Sequence, residues 1–159
     1  METGPALIDG SRRSQPGGRF TPQSPTAGGS AAQCDIALTV PARADGVVLV
    51  RRLVGTLAES AGLPPQRLDD VRLAGTEACT NVVRHAYAEH VGPLSVTARL
   101  GGGSLAVTVT DEGTGLRPLA GRAGDGLGLP LMAAVAQQLE IRAGDAGGTC
   151  VRMSFALGL

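Results

Sequence analysis

The chain contains no lysine and no tryptophan. All 14 of its basic residues are arginine. A phosphate-binding loop of the Gly-x-x-x-x-Gly-Lys type needs its lysine on the phosphates, and a eukaryotic-type protein kinase needs a strand lysine paired with a helix glutamate. Both are excluded, so any nucleotide site must work without lysine. Aromatic residues are almost absent, with two Phe and one Tyr, which predicts an aliphatic core. Cys34, Cys79 and Cys150 are far apart, and His85 and His90 are the only histidines. No pair has zinc-ligand spacing, and an odd cysteine count argues against a disulfide framework, so a reduced, cytoplasmic setting is expected. No apolar run reaches the length of a signal peptide core or a membrane span. The 14 basic residues are balanced by 14 acidic ones, which leaves no electrostatic footprint for nucleic acid or an anionic membrane.

What is present is one domain's worth of chain, 159 residues, rich in glycine. Residues 1–33 are dominated by Gly, Ser, Pro and Thr and predict a disordered tail, with the domain occupying residues 34–159. Ile36, Leu38 and Val40 alternate with polar or small residues and read as a strand closed by Pro41. Val47, Val50, Val54, Leu57, Ala58 and Ala61 recur at helical spacing, and Gly62 stops them. Pro64 and Pro65 open a second helix, predicted to reach about Ala88, with Leu68, Val71, Gly75, Ala78, Val82 and Ala86 on its core face.

Two alternating runs around Gly101-Gly102-Gly103-Ser104 predict a hairpin. A glycine-rich loop follows from Asp111 to about Asp125. A third helix is expected from about Leu127 to Leu139, a strand from Ile141, and a last strand through Val151, Met153 and Phe155. Each strand has one apolar face and each helix one apolar stripe. The economical packing is an α+β, two-layer sandwich: a mixed, mainly antiparallel sheet with helices on one face.

Four elements can carry chemistry. On the second helix Glu77, Asn81 and His85 are four apart, each rotated about 40° from the last, forming one polar row. A helical wheel puts His85 nearest the core face and Glu77 farthest. A carboxylate there can accept a proton, and an Asn carbonyl is a hard ligand for Mg²⁺. At a strand end, Asp111 precedes Gly113 and Gly115. A carboxylate in an apolar slot can accept the amino hydrogens of adenine and would repel the guanine oxygen, and the glycines allow close backbone approach. Gly126-Leu127-Gly128 enters a helix whose free N–H groups suit phosphate oxygens. Gly147-Gly148-Thr149 precedes the last strand. Taken singly, each element also fits a solvated helix flank or an ordinary turn.

In order and spacing the four together resemble the Bergerat-fold (GHKL) ATPases, the superfamily of gyrase, histidine kinases and mismatch-repair ATPases. Glu77-x-x-x-Asn81 is similar to the N box, Asp111-x-Gly113-x-Gly115 to the first glycine box, Gly126-Leu127-Gly128-Leu129 to the second and Gly148-Thr149 to the last. Within the superfamily, Glu-Ala-Cys-Thr-Asn-Val-Val-Arg-His-Ala-Tyr (residues 77–87) most resembles the anti-sigma-factor serine/threonine kinases. A complete sensor histidine kinase does not fit, because nothing upstream of the N box contains a histidine.

The resemblance implies roles and ligands. The cofactors would be ATP and Mg²⁺. Glu77 would be the general base toward a Ser or Thr hydroxyl, and Asn81 would hold Mg²⁺. Arg84 stands where histidine kinases commonly place a phosphate-contacting lysine, and His85 would be structural or close to the nucleotide. Asp111 would read adenine, with Gly113 and Gly115 admitting the base. Gly126, Leu127 and Gly128 would border the phosphates and a short lid over residues 117–125, in which Arg117 or Arg122 could neutralise the γ-phosphate. Thr149 would support the adenine end.

The implied function is an ATP-dependent serine/threonine protein kinase that regulates transcription by partner switching. It would bind a sigma factor and phosphorylate an antagonist protein, and the resemblance is compatible with a homodimer. Two other readings stay open at this point: an ATP-binding switch that transfers no phosphoryl group, and an interaction domain with a decayed site.

Overall fold

A computed structural model describes residues 34–115 and 127–158. Five strands and three helices follow in the order β1 (Cys34–Pro41), α1 (Ala44–Ser60), α2 (Pro65–Asn81), β2 (Pro93–Gly101), β3 (Ser104–Asp111), α3 (Gly128–Val135), β4 (Gln138–Ala143) and β5 (Thr149–Ala156). The strands form one sheet in the order β1-β2-β3-β5-β4, with every neighbouring pair antiparallel. The predicted two-layer, mainly antiparallel α+β architecture holds, and no parallel pair occurs among the named strands. The expected tail, residues 1–33, and the expected lid, residues 117–125, lie outside the described residues.

Local chemistry explains the element ends. α1 closes with the left-handed Gly62 at φ +79°. The N–H of Gly62 donates to Glu59 O and that of Leu63 to Ala58 O, which satisfies the helix's last carbonyls in a Schellman motif while Leu63 enters the core. Proline at the start of α2 costs no hydrogen bond, because the first N–H groups of a helix have no intrahelical partner. Between β2 and β3, Gly102 and Gly103 both have positive φ, +59° and +74°, the combination a two-residue hairpin needs.

Two boundaries differ from expectation. The second helix does not run to Ala88 as an α-helix. After Asn81 its last turn, Val82–Ala86, is π-wound, and Tyr87 is extended. The third helix stops at Val135 rather than Leu139, and β4 begins at Gln138, three residues before Ile141. The N–H of Gln137 donates to Ser154 O at 2.8 Å, so pairing with β5 captures a segment whose apolar spacing also suits a helix. As a strand, Leu139 and Ile141 share one face and pack on the core.

Period-2 alternation decides which side of the sheet meets the helices. Leu105, Val107, Val109 and Asp111 of β3 are buried, beside Leu94, Val96 and Ala98 of β2 and Val151, Met153 and Phe155 of β5. α1 and α2 cover this face, with Val50, Val54, Ala58, Val71, Ala74 and Ala78 at 1 % exposure or less. Asp111 is therefore a carboxylate in the helix-facing row of the sheet, only 3 % exposed, at the end where β3 gives way to the glycine loop. Among the described residues no helix is long and apolar enough to cross a membrane.

Candidate functional site

The site has two halves. One lies between α2 and α3. Glu77 and Asn81 are half-buried on α2, one turn apart. Gly128, the first residue of α3, faces both: a methyl group on it would stand 3.0 Å from Glu77 Oε2, 3.4 Å from Asn81 Nδ2 and 3.5 Å from Asn81 Oδ1. The second glycine motif thus packs on the carboxylate and amide of the α2 polar row, and only a residue without a side chain leaves them unobstructed. The N-terminus of α3 has no side-chain cap. Its leading N–H groups are unpaired within the helix, which favours negative charge at that end.

The other half is built around Asp111. Its Oδ1 accepts the N–H of Gly113 at 2.8 Å, which orients the carboxylate plane. Gly148 has φ +71° and lies directly on Asp111, where a side chain would overlap the Asp111 carbonyl. Gly115 has φ +77° and lies within contact of the Gly148 carbonyl. The β3–β5 register ends at Thr110 opposite Cys150, and the next pair in sequence is Asp111 opposite Thr149. Thr149 therefore flanks Asp111 on the same sheet face, with Leu94 on the other side. Gly113, Gly148 and Thr149 adjoin one buried carboxylate, with Gly115 behind Gly148, although they come from two loops more than 30 residues apart.

The π-wound turn joins the halves. Thr114 N–H donates to Ala86 O at 2.9 Å, and a side chain at Gly113 would collide with the same carbonyl. An extra residue in one helical turn is a local departure that recurs at functional sites. It also corrects the polar row inferred from the helical wheel. Glu77 and Asn81 keep their four-residue spacing, but His85 falls in the π turn and is exposed, as is Arg84. The wheel's placing of His85 nearest the core does not hold: Glu77 and Asn81 are half-buried and His85 is exposed. Leu127 is 71 % exposed at the start of α3. Gly126, Arg117 and Arg122 lie outside the described residues.

Likenesses to known proteins bear on this arrangement of Asp111, Glu77 and Asn81 with the glycines. The family model of the histidine kinase-like ATPase domain matches residues 40–155. The chain belongs to that family. Its match runs from the end of β1 into β5 and takes in Glu77, Asn81, Asp111, Gly113, Gly115, Gly128, Gly148 and Thr149. The chain is 35 % identical over 78 residues to the serine-protein kinase RsbW of Bacillus thuringiensis (strain Al Hakam) and, to the same extent, to that of Bacillus anthracis. Each match covers 49 % of this chain and 49 % of the relative, so the chain aligns with about half the length of these curated relatives. Among solved structures it resembles the RsbU and RsbW domains of Rv1364c from Mycobacterium tuberculosis, with a TM-score of 0.62 and 25 % identity over 77 % of this chain and 32 % of that one.

Sequence reasoning missed the contacts made by Ala86 and Tyr87. The Tyr87 hydroxyl donates to Pro93 O at 2.6 Å and accepts the N–H of Glu112 at 2.9 Å. A lone tyrosine in a chain so poor in aromatics was the available signal. Burial, with the nearby Asp111 and Glu112 carboxylates, raises the phenol above its ordinary value despite the opposing Glu112 N–H bond. The hydroxyl therefore keeps the proton it donates.

Proposed function

We propose that this ATPase domain acts as a serine/threonine protein kinase of the anti-sigma-factor type. In this reading it binds ATP with Mg²⁺, transfers the γ-phosphoryl group to a Ser or Thr hydroxyl of an antagonist protein, and controls a sigma factor by partner switching in the cytoplasm. The observation that carries the reading is the contact of Gly128 with Glu77 and Asn81. It puts an uncapped helix N-terminus, a carboxylate and an amide oxygen in one place, the set that phosphoryl transfer by positioning and charge neutralisation requires. The likeness to relatives named serine-protein kinases supports the same reading.

Each residue then has a task. Glu77 accepts the proton of the attacking hydroxyl. Asn81 supplies an oxygen ligand to Mg²⁺. Asp111 receives the adenine amino group, with Gly113, Gly115 and Gly148 leaving room and Thr149 flanking the base. Gly126 and Gly128 line the phosphates, Arg84 contacts them, and Arg117 or Arg122 neutralises the γ-phosphate. His85 stands near the nucleotide. Residues 1–33 are assigned to a tail outside the domain, and a homodimer is the proposed assembly.

The test is incubation of the chain with labelled Mg²⁺-ATP and candidate antagonist domains, beside a Glu77→Ala variant. The expected result is label on a partner Ser or Thr with the unaltered chain only, while both proteins bind ATP. ATP binding without label on any partner would reject the kinase reading and leave a non-catalytic switch. Partner regulation that survives Glu77→Ala intact would do the same.

A further inference from the structure

We propose that Tyr87 is a positioning residue for nucleotide recognition: its hydroxyl, inserted between β2 and the end of β3, sets the path of the glycine loop and so the presentation of Asp111. The inference rests on the reading of Asp111 as the carboxylate that recognises the base.

The β2–β3 ladder ends with Leu94 opposite Asp111, and the next pair in register would be Pro93 opposite Glu112. The Tyr87 hydroxyl occupies that place. It accepts the Glu112 N–H at 2.9 Å and donates to the Pro93 carbonyl at 2.6 Å, so one phenol substitutes for a rung of the ladder. A hydroxyl between two strands holds them farther apart than a direct N–H···O bond would. β3 therefore leaves the sheet immediately after Asp111, and Glu112 and Gly113 are free to turn.

The same turn is secured one residue earlier on the helix side. Thr114 N–H donates to Ala86 O, and Gly113 has no room for a side chain against that carbonyl. Adjacent residues of one helix end thus hold Glu112 and Thr114, and between them Gly113 donates to Asp111 Oδ1. The ring is seated as well as the hydroxyl. It lies over Gly92, where any side chain would collide with it, and its edge meets His90 with ring centroids 5.2 Å apart. Tyr87 follows directly on the π-wound turn at the end of the helix that carries Glu77 and Asn81. The base-reading and phosphate-side halves are thereby held in one register through the phenol and its neighbouring carbonyl.

The variant that isolates the hydroxyl is Tyr87→Phe, which keeps the ring over Gly92. Calorimetric titration of the whole chain with ATP and with GTP, in Mg²⁺, is the measurement, and amide exchange at Glu112 accompanies it. The variant removes both hydrogen bonds of the hydroxyl, and one bond's ordinary strength felt at the nucleotide predicts ATP binding weaker by about 5-fold or more. It also predicts a narrower preference for ATP over GTP and faster exchange of the Glu112 amide, with the fold retained. A Tyr87→Phe chain with the wild-type ATP affinity and preference overturns this role alone. A wild-type chain that binds neither nucleotide overturns the nucleotide reading and this role with it. If Tyr87→Phe does not fold, the wild-type Glu112 amide decides. Slow exchange, though the residue is exposed, supports the inserted rung, and exchange at the rate of an open loop overturns it.

Discussion

Gly148 lies directly against Asp111: at φ +71° it brings backbone onto the carboxylate, and a methyl group there would overlap the Asp111 carbonyl and stand 2.6 Å from Oδ1. The neighbouring Gly147 also has positive φ, +91°, but its Cα faces open space. The pair separates backbone strain from close approach. Gly147→Ala should cost about 1–2 kcal/mol of stability, the left-handed penalty alone, and leave ATP affinity nearly unchanged. Gly148→Ala should cost more and weaken ATP binding by about tenfold or more, because Asp111 must move. Thermal melting with nucleotide titration on both variants checks this, and equal behaviour of the two would refute it.

Gly128 predicts an opposite balance of stability and activity. Gly128 has no positive φ and its nearest obstacle is the end of the Glu77 side chain, so Gly128→Ala should change the melting temperature little. Its methyl group would stand 3.0 Å from Glu77 Oε2 and crowd Asn81. A displacement of a few tenths of an ångström at the proposed base and metal ligand should reduce phosphoryl transfer about tenfold. Unchanged transfer in a folded Gly128→Ala chain would separate Glu77 from the reaction.

Asp111→Asn tests base recognition. The amide oxygen can still accept the Gly113 N–H, which the carboxylate now accepts at 2.8 Å, so stability should change by less than about 1 kcal/mol. The lost charge and the added donors should weaken ATP binding by roughly 10- to 100-fold, as expected for a hydrogen bond to a charged group, and erase the preference over GTP. Parallel titrations with the two nucleotides provide the measurement. A retained preference would assign recognition elsewhere.

Cys79 predicts the alkaline limb of stability. Its side chain is fully buried on α2, and burial pushes the thiol from 9.0 up to about 12. The folded state keeps the proton that the unfolded chain releases above pH 9, so this group's stabilisation is complete below pH 9 and is lost as pH rises from 9 toward 12. The slope it contributes approaches about 1.4 kcal/mol per pH unit within that window. Denaturant unfolding of the wild type and Cys79→Ala across pH 8 to 11 should show the steeper fall in the wild type. The native thiol should also resist alkylation near neutral pH, and rapid labelling without unfolding would contradict its burial.

The division of labour between sequence and tertiary structure is visible in particular residues. Alternation in β2, β3 and β5, the helical spacing of α1 and α2, the prolines that open α2 and the glycines at 62, 102 and 103 all act through local sterics and period. Their elements could therefore be read without knowing what they pack against. The same holds for Asp111, whose parity with Leu105, Val107 and Val109 assigns it to the core face once β3 is recognised. The identities of Glu77, Asn81 and the glycines were likewise readable, as chemistry in search of a location.

What the sequence left undecided depends on distant partners. The end of α3 follows from competition with β5, whose Ser154 carbonyl takes the Gln137 N–H. The π-wound turn, which moves His85 out of line with Asn81, ends where Ala86 and Tyr87 meet the loop from β3. The insertion of β5 between β3 and β4 sets Gly148 on Asp111, and the packing of α3 on α2 sets Gly128 on Glu77. Such contacts join residues dozens of positions apart, and no local period or propensity encodes them. Residue types determined which groups were available for chemistry, and long-range packing decided which of them meet.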